Sequence, residues 1–266
     1  MITSAQNPRI KALAQLMDKS RKRREEGLFV IEGLREAGIA LQSGYRMQCL
    51  YYCPDILPDP FRHLPSLPAD TPAEALSAAV YEKLAYRGTT EGVLAVFHEH
   101  PMSLEDIPLN EAPLVIVLEG VEKPGNLGAI LRTADAAGAS AVLLCDPLTD
   151  LYNPNTIRAS LGCLFSVPTV TCTNEQACSW LNHHGFLTVA ANCQATQGYY
   201  QCDLTGPTAF IMGTEDKGLG PFWRQQALRN IKIPMLGRID SLNVSVATAV
   251  LCFEAVRQRA ERNNII

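Results

Sequence analysis

Apolar and polar residues alternate with two different periods along the first hundred residues. From Asn7 to Glu26 the apolar positions recur every three or four residues, which predicts a helix. Apolar runs and helical patterns then follow one another as strand, helix, strand, helix and strand, at residues 28–31, 33–42, 47–53, 73–86 and 92–97. Residues 54–72 carry six prolines and predict a loop. This mixture predicts an α/β domain over residues 1–98.

A second α/β pattern begins after a polar stretch. Residues 99–112 contain two prolines and no sustained periodicity, which predicts a linker. Continuous apolar runs then predict strands at residues 114–118, 141–144, 186–191, 209–212 and 231–233. Helical patterns predict helices over 127–137 and 243–262. Because strands that are buried on both faces are apolar throughout, we predict that residues 113–266 form a domain with a covered parallel sheet.

The composition is that of a globular protein. Hydrophobic residues make up 47% and charged residues 19%, and no apolar run reaches the ~18 residues of a membrane span. The N-terminal sequence lacks the apolar stretch and cleavage site of a secretory signal. The nine cysteines form no C-x-x-C pair and several lie in apolar runs, so we expect reduced core residues of a cytoplasmic protein. The five histidines do not pair with cysteines at ligand spacing, so no metal site is predicted.

A run of basic residues lies near the N-terminus, although the chain as a whole is acidic. The net charge of −4 does not by itself indicate a nucleic-acid partner. Lys22, Arg23 and Arg24, however, belong to a dense run of cations on the first predicted helix. Such a run is typical either of a solvated helix face or of an arm that contacts phosphates.

The first of three loops with candidate chemistry follows the first strand of the second domain. Pro124 and Gly125 turn the chain into a helix that exposes Arg132. A dinucleotide-binding turn could occupy the same place, and Asp146 follows the next strand where a ribose-binding acid would lie. Gly125 and Gly128 do not complete the G-x-G-x-x-G pattern, which disfavours a nicotinamide cofactor.

Two more irregular loops follow apolar strands later in the domain. In AFIMGTEDKGLG, residues 209–220, a buried strand enters a glycine-rich turn that carries Glu215. In IPMLGRIDSLNVSVATAV, residues 233–250, either Ser241 or Asn243 can cap the helix that follows. A strand–helix connection and a helix cap would account for parts of these loops, but capping does not explain the Ile-Pro-Met-x-Gly segment.

Together the three loops resemble the three motifs of the SpoU/TrmH branch of the SPOUT RNA methyltransferases. The matching residues are Asn126, Gly128, Arg132 and Gly138 in the first motif; Gly213, Glu215, Gly218 and Leu219 in the second; and Ile233-Pro234-Met235, Gly237 and Ser241-Leu242-Asn243-Val244-Ser245 in the third. The resemblance covers residues 113–266, and the closing SLNVSVATAVLCFEAVRQR is similar to large-subunit ribosomal RNA ribose methyltransferases. Lys123 departs from the family, which often has aspartate there.

The first domain also resembles part of that family. Residues 25–98 look like the SpoU substrate-binding domain, an RNA-binding α/β fold similar to ribosomal proteins. The resemblance then implies that RNA binds this domain and the basic helix, with contacts from Lys22, Arg23 and Arg24.

The family resemblance implies an enzyme that methylates a ribose 2′-hydroxyl of RNA with S-adenosylmethionine and without a metal. It implies a deep trefoil knot in the C-terminal SPOUT domain, where Gly213, Ile233 and Leu242 would bind the methyl donor. The implied catalytic residues are Arg132, Asn126, Glu215, Ser241 and Asn243. It also implies a homodimer whose active site is completed across the interface.

Ribosomal RNA is favoured as substrate, since both domains look like those of the ribosomal enzymes. Three alternatives stay open: a transfer RNA 2′-O-methyltransferase, an RNA-binding protein that has lost catalysis, and a NAD-dependent Rossmann enzyme. Intact Arg132, Glu215 and Asn243 argue against the second alternative, and the incomplete glycine pattern argues against the third.

Overall fold

Ten α-helices, eleven β-strands and three short 3₁₀ helices make up the regular structure of the residues that the computed structural model describes, namely 1–64, 67–68, 70–85, 91–214 and 216–263. The helices are α1 (Pro8–Asp18), α2 (Ser20–Glu26), α3 (Leu34–Gln42), α4 (Ala78–Leu84), α5 (Pro124–Ala136), α6 (Pro154–Ser160), α7 (Cys163–Ser166), α8 (Asn174–His183), α9 (Pro221–Gln226) and α10 (Val244–Arg262). The strands are β1 (Leu28–Glu32), β2 (Met47–Tyr52), β3 (Ala73–Ala75), β4 (Val93–His98), β5 (Leu114–Glu119), β6 (Ala141–Cys145), β7 (Thr169–Cys172), β8 (Leu187–Ala191), β9 (Gln197–Gly198), β10 (Thr208–Met212) and β11 (Arg229–Lys232).

The chain divides into two units, and the first of them is built from two separate segments of the chain. The first unit combines Met1–His100 with Asp150–Ser166, and the second combines Pro101–Thr149 with Val167–Ile266. Residues 150–166, which the sequence analysis assigns to the second domain, thus pack with the first unit. Most of the stretch expected to be a linker, from Pro101 onward, belongs to the second unit.

The first unit is built on a four-stranded mixed sheet. Its strand order is β1-β4-β2-β3; β4 is antiparallel to β1 and β2, whereas β3 is parallel to β2. The helix predicted over residues 7–26 is two helices, because Lys19 between them is extended (φ −113°, ψ 108°). The helix predicted over residues 73–86 is wrong at its start, where Ala73–Ala75 pairs with β2 as a strand. Its last predicted residue, Tyr86, lies outside the described residues.

The returning segment 150–166 completes the aromatic core of the first unit. The rings of Tyr152 and Phe29 stack with centroids 4.3 Å apart, and the Phe165 ring lies 5.8 Å from that of Phe29. Arg158 of α6 donates to the Glu32 carboxylate at 3.0 Å. The segment therefore contributes both apolar packing and an ion pair to this unit.

Arg23 belongs to the interior of the first unit, which corrects one of the predicted RNA contacts. Its side chain is only 2% exposed, and its Nε donates to the Asp150 carboxylate at 2.6 Å. Its Nη1 donates to the carbonyl oxygens of Leu16 and Met17 at 2.6 and 2.9 Å. The prediction was wrong for Arg23, because a guanidinium that is buried among protein acceptors cannot reach a phosphate.

The second unit is built on a seven-stranded sheet, and each of its pairings is parallel. The strand order is β7-β6-β5-β10-β8-β11-β9. On one face, alternate strand residues such as Val117 and Ile211 form a core with Trp180 of α8 and Trp223 of α9. Helices α5 and α10 pack against each other, and α10 also contacts β10. The predicted parallel α/β sheet is confirmed. Within the described ranges, no helix is both long and apolar enough to span a membrane.

Candidate active site

The three loops singled out in the sequence lie at one edge of the parallel sheet. They follow β5, β10 and β11, where β10 pairs with β5 and with β8, and β8 pairs with β11. Strands that run parallel end at the same edge of a sheet, and ligands of open α/β folds bind there. The topology therefore brings loops that are more than a hundred residues apart in sequence to one side of the second unit.

A cavity of about 310 Å³ lies among the second and third loops. Its lining includes the three residues predicted to bind the methyl donor, Gly213, Ile233 and Leu242, together with Ser241. The other lining residues combine apolar groups, such as Met212, Leu219, Ile231, Met235, Val244 and Leu251, with charged groups, Asp216, Lys217, Arg224, Lys232 and Asp240. Its volume lies near the lower end of small-molecule sites, which are ~300–1,000 Å³.

The charged lining residues were missed by the sequence analysis. Lys217, Arg224 and Lys232 stand within or next to the recognised loops, and that position was the available signal. A larger cavity of about 980 Å³ runs along α8 and β7, but it contains none of the predicted site residues. We therefore choose the smaller cavity as the candidate site because the predicted donor-binding residues line it, although it is not the larger of the two.

The second loop folds tightly back on itself. Thr214 and Gly218 exchange two backbone hydrogen bonds of 3.1 Å. A Cβ at Gly213 would lie 2.1 Å from the carbonyl carbon of Gly218 and 2.2 Å from the Leu219 nitrogen. Glycine is thus required at position 213 because the returning backbone leaves no room for a side chain. Glu215, the predicted catalytic residue of this loop, lies outside the described residues.

Asn243 joins the third loop to the first. Its Nδ2 donates to the Asn126 side-chain oxygen at 3.1 Å. Its own Oδ1 accepts from the Ser245 amide at 2.9 Å and from the Ser245 hydroxyl at 2.6 Å, which caps α10. The Ser241 hydroxyl, by contrast, donates to the neighbouring Asp240 carboxylate at 3.1 Å. Of the two candidate caps, Asn243 is the residue that caps α10, and the same side chain also contacts Asn126.

Arg132 lies on the exposed side of α5, as its place in the helical pattern predicts. It is not among the residues that line the cavity. Within the described residues it forms no ion pair shorter than 4 Å. Its guanidinium is therefore presented to solvent, where another molecule can meet it.

The remaining basic residues differ in how they are held. Lys22 forms an ion pair of 2.6 Å with Glu26, one turn further along α2, and the hydrogen bond and charge of Glu26 raise the pKa of Lys22. Arg24 is exposed. Lys22 and Arg24 therefore stay available to a partner at the surface, unlike Arg23.

None of the nine cysteines, all of which lie in the described residues, forms a disulfide, and only some belong to the core. Cys53, Cys145, Cys178, Cys202 and Cys252 are buried, whereas Cys193 is exposed and the other three are half-buried. The Sγ atoms of Cys145 and Cys172, on neighbouring strands, lie 3.9 Å apart. Among the described residues, no group of three or more histidines, cysteines and carboxylates is arranged to hold a metal ion.

Fold and site together define an α/β protein with a cavity of small-molecule size at the carboxyl edge of a parallel sheet. Residues 113–253 match the SpoU rRNA Methylase family, and residues 7–95 match the MRM3-like substrate binding domain. The chain belongs to the SpoU rRNA methylase family.

Individual relatives resemble the chain over different lengths. RlmB of Pseudomonas putida, a 23S rRNA (guanosine-2′-O-)-methyltransferase, is 45% identical over 148 residues, which cover 55% of this chain and 60% of that protein. The crystal structure of an RNA 2′-O ribose methyltransferase is 39% identical, with a TM-score of 0.83 over 97% of this chain and 98% of the other. The AdoMet-bound rRNA methyltransferase from Sinorhizobium meliloti is 32% identical, with a TM-score of 0.88 over 96% and 97% of the two chains. The chain thus spans about 60% of the curated relative's length.

Proposed function

We propose that this protein transfers the methyl group of S-adenosylmethionine to a ribose 2′-hydroxyl of ribosomal RNA. The observation that carries the proposal is the single cavity lined by Gly213, Ile233 and Leu242, the three positions that match the family's donor-binding residues. The resemblance of nearly the whole chain to the AdoMet-bound rRNA methyltransferase of Sinorhizobium meliloti supports it.

The cavity's lining suits this donor. Adenine needs apolar cover and backbone hydrogen bonds, which Ile233, Leu242 and the close-packed backbone at Gly213 can supply. The methionine end of the donor carries both an ammonium and a carboxylate, and the lining offers Asp216 and Arg224 among its charged groups. When bound, the sulfonium supplies a methyl group that is electrophilic without a metal.

The protein's task is then to position the ribose and to help its proton leave. Arginine keeps its proton in proteins, so we assign Arg132 to holding the RNA phosphate and stabilising charge that develops on the 2′-oxygen. Asn126 and Asn243, which are hydrogen-bonded to each other, would hold the ribose and Arg132 in place. Ser241 and Glu215 complete the proposed set of catalytic residues.

A homodimer would bring Arg132 to a cavity that it does not line in its own chain. Large exposed apolar side chains lie on the third loop and on α10: Leu236, Ile239, Val246 and Phe253. Val246 and Phe253 are seven residues apart and therefore share one face of α10, which packs against the helix that carries Arg132. We propose that two chains associate through this face and that each completes the other's active site.

Three further properties belong to the proposal. A deep trefoil knot would be formed by the C-terminal part of the sheet domain, where β11 follows β10 in sequence but pairs beyond β8. RNA would bind the first unit and its surface cations Lys22 and Arg24. A cytoplasmic location is supported by nine cysteines of which none forms a disulfide.

The decisive experiment combines binding with methyl transfer. Calorimetry should detect S-adenosylmethionine but not NAD, and labelled methyl should reach RNA in excess chelator. Ribose-methylation mapping of ribosomal and transfer RNA, with and without the gene, then identifies the substrate. NAD binding without donor binding would refute the proposal, and a lost transfer RNA mark would move the substrate to that class. Activity that needs added magnesium or zinc on a folded RNA would refute the metal-free mechanism.

A further inference from the structure

Glu119, the last residue of β5, turns its carboxylate toward the second loop rather than toward solvent. Its Oε2 accepts a hydrogen bond of 2.6 Å from the backbone amide of Gly220, where that loop ends. A Cβ at Gly220 would lie 2.7 Å from the Glu119 Oε1, so a side chain there would displace the carboxylate. The carboxylate is half-buried, and hydrogen bonds to a charged acceptor are the stronger kind.

The neighbouring Gly120 meets the other end of the same loop. Gly120 has a left-handed backbone (φ +62°), and a Cβ there would lie 3.1 Å from the Thr214 methyl group. Residues 119 and 120 thus contact the loop where it begins, at Thr214, and where it ends, at Gly220. The stretch between them includes Gly218 and Leu219, which line the candidate donor cavity.

A network of side chains holds the Glu119 carboxylate in turn. The Asn174 amide donates to Glu119 Oε1 at 3.4 Å and to the Asp146 carboxylate at 2.9 Å. The Asn174 oxygen accepts from the indole nitrogen of Trp223 at 2.5 Å, and Trp223 is fully buried in α9 directly after the loop. The Glu119 carboxylate and the Asn174 amide therefore connect the end of β5, the second loop and helix α9.

We propose that Glu119 is a positioning residue for the methyl donor. It fixes the returning limb of the second loop, residues 218–220, and so keeps the cavity in the shape that binds the donor. The effect on donor binding rests on the proposed function, whereas the effect on the loop does not. Glu119 itself does not line the cavity.

Three substitutions at Glu119 distinguish the effect of side-chain length from the effect of the negative charge. Glu119→Ala removes the acceptor, and Glu119→Asp keeps the charge but withdraws it by one methylene. Both should raise the donor KM and Kd roughly tenfold, the worth of one charge-assisted hydrogen bond. Glu119→Gln keeps an oxygen at the same reach and should recover part of the affinity. Glu175→Gln, an exposed carboxylate on α8, is the matched control and should bind the donor as the wild type does.

Two further readouts distinguish positioning from a general loss of stability. The KM for RNA and the melting temperature of Glu119→Gln should stay close to wild type. Amide hydrogen exchange in residues 213–223, measured without any ligand, should be faster in Glu119→Ala and Glu119→Asp than in wild type or Glu175→Gln. Unchanged exchange and donor affinity within twofold of wild type would overturn the proposal, as would equal losses for donor and RNA. Wild-type protein that binds no donor would refute the proposed function instead, and the exchange data would still test the loop.

Discussion

Arg23 and Arg24 are adjacent arginines with opposite physical situations. Arg23 is enclosed with Asp150 and two carbonyl oxygens, whereas Arg24 is exposed. Replacing one member of a buried ion pair leaves an uncompensated charge, which costs about 3–5 kcal/mol. Replacing an exposed arginine usually changes stability by less than ~0.5 kcal/mol.

Arg23→Ala should therefore lower the free energy of unfolding by about 3 kcal/mol, since Asp150 stays 11% exposed and keeps some contact with water. Arg24→Ala should leave it almost unchanged. Urea unfolding followed by circular dichroism checks both, because both tryptophans lie in the second unit and would not report on the first. Equal effects of the two substitutions would contradict the burial argument.

Lys22 and Arg24 carry the surviving part of the phosphate-contact prediction. The double change to alanine should weaken RNA binding and reduce the slope of log affinity against log salt by up to about two, one for each lost phosphate contact. Donor affinity should not change. A slope equal to that of wild type would assign both side chains to a solvated helix face.

Arg132 should matter for the rate of methyl transfer and for little else. With S-adenosylmethionine saturating, Arg132→Ala should reduce the rate of single-turnover methylation by ~10²–10³-fold. This is the usual effect of removing one preorganised hydrogen-bond donor that stabilises developing charge. Arg132→Lys keeps the charge but loses the planar fork, so it should also be strongly impaired. Donor affinity and melting temperature should be unchanged, as in the exposed control Arg62→Ala. Near-normal methylation by Arg132→Ala would remove it from the active site.

Cys145 and Cys172 form a pair in which the two thiols differ. The hydrogen bond between the two thiols lowers the pKa of Cys172, whereas that same contact and burial raise the pKa of Cys145. Burial raises the pKa of Cys49, which is also half-buried. Because only thiolates are alkylated, iodoacetamide should modify Cys172 with a midpoint below the ordinary cysteine range and Cys49 with a midpoint above it. Peptide mass spectrometry across a pH series checks the order, and a reversed order would contradict the assigned hydrogen bond.

The second loop shows how a single element depends on glycine. Gly213→Ala forces a Cβ against the backbone of Gly218, and such overpacking costs about 1–3 kcal/mol, or roughly 5- to 150-fold in donor affinity if the loop must open. Gly125→Ala places its Cβ in open space in the first turn of α5, so donor affinity should be unchanged there. Calorimetry on both variants tests the comparison, and equal donor affinities would show that the loop adapts.

Helices and strands with a clear pattern of apolar residues could be predicted from the sequence. Elements that depend on contacts with residues far away in the sequence could not. The buried strands β5, β6 and β10 and the long helix α10 follow directly from apolar runs and helical spacing. Strand β7, by contrast, sits at the sheet edge with Thr171 exposed, so it lacks the continuous apolar signal. The candidate site residues could be named from the sequence because each stands in or beside a strand–helix connection with a recognisable pattern.

The contacts around that site could not be read from the sequence. Glu119 ends a strand like any solvated acid, and its partners Asn174 and Gly220 stand 55 and 101 residues away. Arg23 likewise looked like one more cation in a basic run, since Asp150 stands 127 residues away. Which polar group is buried depends on pairings that only the folded chain defines.

At the scale of the whole molecule, the proposed dimer rests on an apolar surface. Val246→Glu with Phe253→Glu would place two charges on that face of α10, and burying them in an interface is strongly unfavourable. The double variant should sediment as a monomer, keep its donor affinity and lose methyl transfer. Leu148→Glu changes an equally large exposed side chain outside this face, 70% exposed, and should leave the assembly intact. A fully active monomer would contradict the shared active site.

The return of the chain to the first unit also has a consequence for biosynthesis. When residue 100 leaves the ribosome, Phe29 has no Tyr152 to stack on and Arg23 has no Asp150 to neutralise it. The intervening stretch, Pro101–Thr149, must be translated first, which takes roughly 2–10 s at ~5–20 residues per second. The nascent chain therefore holds an incomplete N-terminal core during that interval, and it can close that core only after the first strands of the next unit have been made.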